Sequence, residues 1–332
     1  MTRVLVTGGA GFIGHHFVNH LIINTNWDIV VLDKLTYASG GLDRLRDINI
    51  FDEKRVLILA ADFTRPIDGG LAKEIGDINY ILHLGAESHV NNSIKNPEPF
   101  VMSNVVGTMR LLDFARKLSN LKKFNYFSTD EVFGPAPEGV NYKEWDRYNS
   151  TNPYSATKAG GEELSLAYAN TYGLPVFITH TMNVFGERQH PEKFIPMSIN
   201  KILKGNKLLI HSNSSKTKAG SRFWIHARNV ASAIMFLLDH AKNRDKYNIV
   251  GEKELDNLEL AQAIAKVLGK DLNYEMIDFH SSRPGHDLRY ALDGMKLKEI
   301  GWSLPMDFEQ SLEKTINWSL KNPKWLDVNT FK

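Results

Sequence analysis

The chain has 332 residues, 42% hydrophobic and 23% charged, enough apolar content for one large or two modest globular cores. Forty Lys and Arg against thirty-eight Asp and Glu leave a formal charge of +2, so no broad field favours nucleic acid or an anionic membrane, and any anion site must be local. The absence of cysteine excludes disulfides, thiolate metal sites and a cysteine nucleophile.

In chain order, Arg3–Thr7 is a short β-branched run. A glycine cluster follows, then "FIGHHFVNHLII", whose apolar positions recur at helical spacing. That is strand, turn, helix. No apolar run reaches membrane-spanning length, and "MTRVLVTGGAGFIG" has glycines where a signal peptide needs an apolar block, so a cytosolic enzyme is expected. Further strands are predicted at Asp28–Leu32, Val56–Leu59, Tyr80–Leu84, Phe124–Phe127 and Val176–Thr179, mostly separated by segments long enough for helices. Such alternation implies an α/β fold with a parallel sheet covered on both faces.

Near Phe185 the texture changes, through "GERQHPEKFIP" and the polar tract His211–Ser221. Residues 1–185 therefore read as one domain and 186–332 mainly as a smaller one. Within the latter, "ARNVASAIMFLLDHA" and "KYNIV" suggest that 222–250 returns to the first sheet.

The glycine turn places Gly8, Gly11 and Gly14 between strand and helix. A dinucleotide site needs a tight turn at the first, close backbone approach to pyrophosphate at the second, and close helix packing at the third. Asp33 ends the next strand roughly 20 residues on, where a carboxylate accepts from a ribose 2′-hydroxyl and repels a 2′-phosphate, favouring NAD over NADP. Lys34 beside it weakens that preference. Glycines serving only a tight turn are the alternative. Asp62, after the third strand, is either an adenine acceptor or a solvated cap.

"YSATK" puts Tyr154 and Lys158 four apart, on one helix face if helical. Tyrosine is a poor base at neutrality unless a cation stabilises its phenolate, a part that Lys158 suits. "STDEV" sets Asp130 and Glu131 side by side, either as a loop cap or as two acids that reach different atoms of one ligand.

Taken together, "TGGAGFIG", "STDEVFG" and "YSATK", supported by "HLGAESHVNNSI", "HPEKFIP" and "RPGHDLRYALD", resemble the extended short-chain dehydrogenase/reductases and, within them, the nucleotide-sugar 4,6-dehydratases. The resemblance implies a Rossmann-type doubly wound sheet with a smaller C-terminal α/β substrate domain. It implies NAD as cofactor and a nucleotide-diphosphate hexose, of the dTDP-glucose or UDP-glucose type, as substrate. Tyr154 would take the carbon 4 hydroxyl proton, Thr129 would hold that oxygen, Glu131 would remove the carbon 5 proton, and Asp130 would protonate the departing carbon 6 hydroxyl. By the same resemblance Gly8, Gly11, Phe12, Ile13, Gly14, Asp33, Lys34, Thr36, Asp62, Phe63, Leu84, Ala86, Tyr154 and Lys158 would contact the cofactor. Glu87, Ser88, Thr129, Asn183, Lys193, Phe194, Arg222, Arg283 and His286 would contact the substrate.

His83, His89 and His180 read as packing histidines, and no cluster has metal-ligand spacing. Homodimers of this family pair two helices per subunit, here about 99–118 and 154–171. Departures from the family pattern include Phe133 for tyrosine, Asn91-Asn92 for "DR", Asn183-Val184 for paired asparagines, "EKELDN" after Gly251, and "FWIHARN" at 223–229. They leave open the nucleotide base and the hexose. The alternatives are a nucleotide-sugar epimerase, a dehydratase with coupled epimerisation, or a non-catalytic NAD-binding regulatory protein.

Overall fold

A computed structural model describes residues 1–278 and 289–331. Its strands in chain order are β1 (Arg3–Thr7), β2 (Asp28–Asp33), β3 (Val56–Ala60), β4 (Tyr80–His83), β5 (Lys123–Thr129), β6 (Val176–Thr181), β7 (Asn183–Phe185), β8 (Leu208–Ser212), β9 (Ser221–His226), β10 (Asp245–Ile249), β11 (Glu254–Asp256) and β12 (Tyr274–Asp278). Seven of them form one parallel sheet in the order β10-β6-β5-β4-β1-β2-β3. The winding direction reverses between β1 and β4, the place where doubly wound sheets open a crevice beyond the strand C-termini. This is a Rossmann-type arrangement.

The strands are apolar on both sides because both sides are covered. Val4, Val6, Ile29 and Val31 pack against Phe17 and Leu21 of the Phe12–Asn24 helix and against Ile234 and Leu237 of the Ala227–His240 helix. Leu5, Val30, Leu32 and Ile81 face the other way, onto Leu111 and Leu112 of the Thr108–Ala115 helix. Burying each such side chain stabilises the fold by roughly 1.5–3 kcal/mol.

Two helical features position the site. Asn152 caps the Pro153–Tyr172 helix by accepting the Ser155 N–H, while Ser155 Oγ lies at the Asn152 N–H, a reciprocal box that also places Pro153 in the first turn. Upstream, the helix predicted over about 99–118 is broken into Glu98–Val101, a π-helical turn Met102–Gly107, and Thr108–Ala115. The wide turn delivers the Asn104 side chain to the segment after β4: Oδ1 accepts from Glu87 N–H at 2.9 Å and Nδ2 donates to Glu87 O at 3.0 Å.

The later segment divides its strands. β9 joins a three-stranded sheet, parallel to β7 and antiparallel to β11, whereas the Ala227–His240 helix and β10 cover and extend the main sheet. β8 pairs with β12 in parallel. Phe185, Ile199, Trp224, Leu260, Leu312 and Ile316 build a further core beneath the small sheet.

Candidate active site

A cleft of about 350 Å³ runs across the C-terminal ends of β1, β2, β4, β5 and β6. At its first wall Gly8 has φ +70°, its N–H donates to Leu32 O at 2.9 Å, and its carbonyl accepts the Gly11 N–H at 3.0 Å. A Cβ on Gly14 would overlap Gly8 O, so the helix begins directly against the turn. The N-cap, Gly11, supplies no side-chain cap, leaving the first-turn N–H groups for an anion. A glycine-rich cradle whose one side chain, Ala10, is buried, ending at an uncapped helix N-terminus, fits a pyrophosphate.

Asp33 is 7% exposed and lies at the end of β2, where its carboxylate accepts from Ala10 N–H at 3.0 Å and Leu35 N–H at 2.8 Å. Burial pushes its pKa up, and these two backbone donors act against that. Lys34 Nζ lies 3.4 Å from Glu87 Oε1, so its charge is engaged across the cleft rather than offered to a 2′-phosphate. Phe12, Ile13, Thr36, Phe63, Leu84 and Ala86 also line this half. Asp62 does not: its Oδ1 accepts the Thr64 N–H at 2.9 Å, closing a local turn.

At the floor, β5 ends in Thr129, and Asp130–Phe133 forms a single 3-10 turn. Thr129 Oγ1 donates to Asp130 Oδ1 at 2.9 Å and accepts the Glu131 N–H at 3.3 Å. The Thr129 hydroxyl favours the ionised form of Tyr154, and Asn152 Nδ2 donates to Glu131 Oε2 at 3.0 Å. Asp130 and Lys158 are buried, and Glu131 and Tyr154 partly so. Both acids and the phenol therefore converge on one floor, with the threonine hydroxyl among them.

Burial lifts Asp130 to about 6, against the Thr129 hydrogen bond and the Arg222 charge. Burial, with the Asp130 charge adding to it, lifts Glu131 to about 7. Without ligand the proton that the pair holds rests on Glu131, the higher of the two, so Glu131 acts as base only when binding moves that proton to Asp130. The Asn152 donor and the positive charges of Arg222 and Lys193 favour the ionised form of Glu131.

The phenol of Tyr154 is pushed up rather than down, by burial first and then by the Glu131 charge. Lys158 does not offset this in the ligand-free protein. Its Nζ donates to Phe127 O at 2.6 Å, and burial lowers it to about 7. A ground-state phenolate therefore needs additional positive charge from what binds.

Among the expected substrate contacts, Glu87, Ser88, Asn183 and Lys193 line the cleft. Phe194 does not; it opens the next helix and packs its ring 6.4 Å from Trp224. Arg222 also lies outside the lining, its guanidinium 4.6 Å from the Tyr290 ring, and its charge favours the ionised form of both acids. Arg283 and His286 lie outside the described residues.

The cleft recruits residues that the sequence did not single out. Asn152 was legible as the residue before Pro153 at the start of the tyrosine helix. Arg44 was not. It is fully buried, donating to Ala38 O at 2.9 Å and Arg188 O at 2.9 Å, in a stretch that reads as surface helix. Gln189, His190 and Glu192 come from the loop after β7 and carry no periodicity signal.

Comparison with known proteins matches residues 5–315 to the family model described as GDP-mannose 4,6 dehydratase. A dTDP-glucose 4,6-dehydratase of Escherichia coli is 37% identical over 348 aligned positions, covering 98% of this chain and 94% of that one. The structure of DesIV, a dTDP-glucose 4,6-dehydratase from Streptomyces venezuelae with NAD and a dTDP ligand bound, superimposes with a TM-score of 0.88 at 34% identity over 100% of both chains. A UDP-glucose 4-epimerase of Thermus thermophilus in complex with NAD reaches 0.84 at 26% identity, covering 95% of this chain and 98% of that one.

Proposed function

The chain belongs to the GDP-mannose 4,6 dehydratase family, and from that premise we propose that it converts a nucleotide-diphosphate hexose of the dTDP-glucose or UDP-glucose type into the 4-keto-6-deoxy sugar. It is a hydro-lyase, an NAD-dependent nucleotide-sugar 4,6-dehydratase. The carrying observation is the floor of the cleft, which adjacent acids, a tyrosine and a threonine hydroxyl line together.

Gly8, Gly11, Gly14 and Asp33 would hold the NAD. When bound, that group supplies reversible hydride acceptance and a positive charge, so none of it is consumed. In the proposed sequence Tyr154 takes the carbon 4 hydroxyl proton while Thr129 holds the oxygen, giving a ketone that acidifies carbon 5. Glu131 removes the carbon 5 proton, and Asp130 protonates the carbon 6 hydroxyl so that it leaves as water. Carbon 6 would then receive the hydride taken from carbon 4, and carbon 5 would regain its proton from Glu131; the departing water carries the carbon 6 hydroxyl and the Asp130 proton, which the proton taken up by Tyr154 replaces through solvent.

An acid for water loss is what a simple epimerase does not require, and this floor holds one. We also propose a cytoplasmic homodimer, supported by the cysteine-free composition and by exposed Val101 and Met102 on the first of the two candidate pairing segments. The test is mass spectrometry of products from a panel of nucleotide hexoses. Loss of one water from a glucose nucleotide is expected, and an unchanged mass for every member overturns the proposal.

A further inference from the structure

Tyr154, Lys158 and Glu162 follow one another at four-residue intervals on the Pro153–Tyr172 helix, so they share a face. The first two reach the floor of the cleft. Glu162 is fully buried behind it, and a carboxylate there is costly unless its surroundings are built for it.

They are. Ser128, the residue directly before the Thr129-Asp130-Glu131 run, hydrogen-bonds Oε1. On the other oxygen, Tyr148 OH donates to Oε2, His180 Nε2 lies 3.0 Å away, and Lys246 Nζ lies at 3.7 Å. His180 is held in turn at Nδ1 by Asn248 Oδ1 at 3.0 Å, and Lys246 also donates to Tyr148 OH. Residues from β5, β6, β10 and the loop before the helix thus converge on one buried carboxylate that does not itself line the cleft and meets it only through Ser128. Neighbouring cations and donors keep Glu162 ionised against its burial.

We propose that Glu162 is a positioning residue for the opening oxidation, acting on the substrate only through Lys158, one turn away on the same helix face, and through Ser128, which it ties to the acid pair. Among the described residues, the titratable groups that bear on Lys158 include His83 on β4, Tyr126 on β5, whose ring lies 4.3 Å from Nζ, and Glu162 on its own helix. Of these, Glu162 is the carboxylate that opposes the burial lowering Lys158 to about 7. Lys246 sits on the far side of Glu162 and dilutes its field. The inference rests on the proposed roles of Tyr154 and Lys158, but its test reads Lys158 directly and needs no substrate.

The experiment is an NMR titration of the protein carrying lysine labelled with carbon-13 at Cε, with Lys158→Arg identifying the Lys158 signal. Glu162→Gln keeps the shape and removes the charge, and should lower the Lys158 midpoint by about one pH unit. Lys246→Met should move it the opposite way, and Glu162→Asp should restore most of the original value. In the oxidation of a nucleotide hexose, the alkaline limb of the rate profile should shift in the same directions, with KM unchanged. Unmoved midpoints, or a shift of the same sign in Glu162→Gln and Lys246→Met, would overturn the proposal. If Glu162→Gln does not fold, the upward shift in Lys246→Met decides alone. Failure of the unaltered protein to dehydrate any nucleotide hexose counts against the proposed reaction and leaves the Lys158 midpoints to judge this inference.

Discussion

Replacing Glu131 with glutamine separates the two halves of the proposed reaction. The amide keeps an oxygen that accepts from Asn152 Nδ2, so the positional loss is that of weakening one charge-assisted hydrogen bond, roughly 1 kcal/mol. The chemical loss is larger, because a positioned general base is worth about 10²–10⁴ in rate, or roughly 3–5 kcal/mol of barrier. Oxidation should survive and even gain, since the Glu131 charge stands second among the causes that raise the Tyr154 phenol. Stopped-flow absorbance at the reduced-nicotinamide band should therefore rise on mixing with the nucleotide hexose and decay about 10²–10⁴ times more slowly than in the unaltered protein. Dehydrated product should appear at the rate of that decay. Full turnover within about tenfold of the original, or no absorbance rise at all, would refute the assignment of Glu131 as base.

Other perturbations bear on the same floor. Asp130 is raised from 3.8 to about 6, so the folded state binds the extra proton; its contribution is favourable below the unfolded value and is lost as pH rises through the folded one. Asp130→Asn should remove roughly 3 kcal/mol of that decline between acid and neutral pH, read from urea midpoints across the range. Asn152→Ala loses the helix cap and the donor to Glu131, and should cost about 1 kcal/mol in thermal unfolding together with a higher Glu131 midpoint. Gly14→Ala drives a methyl into Gly8 O, and should weaken NAD binding measured by calorimetry while costing about 1–3 kcal/mol in stability. Tyr154→Phe should leave NAD affinity intact and abolish the absorbance rise.

Much of the main sheet was legible because buried parallel strands are continuous apolar runs, and β1 to β6 fall where such runs lie between helical patterns. The acid pair and the tyrosine were legible as well, since each sits in a short local stretch at a strand end or helix start. Contacts made across long separations were not. The pairing of Leu208–Ser212 with Tyr274–Asp278 leaves no trace in either segment. Asp62 satisfies a neighbouring N–H and Phe194 packs beside Trp224, contacts that neither a strand-end position nor the family resemblance reports. Glu162 reads as one more polar residue on a helix until β6 and β10 bring His180 and Lys246 to it. The upward push on Tyr154 likewise depends on burial, and Lys158 is turned toward Phe127 by a contact no spacing rule reports.

The sharpest check follows a deuterium placed on carbon 4 of the nucleotide hexose through one turnover in ordinary water. The account predicts a product lighter by one water that carries the label on carbon 6. Label kept at carbon 4, label lost to solvent, or a hexose of unchanged composition would contradict it.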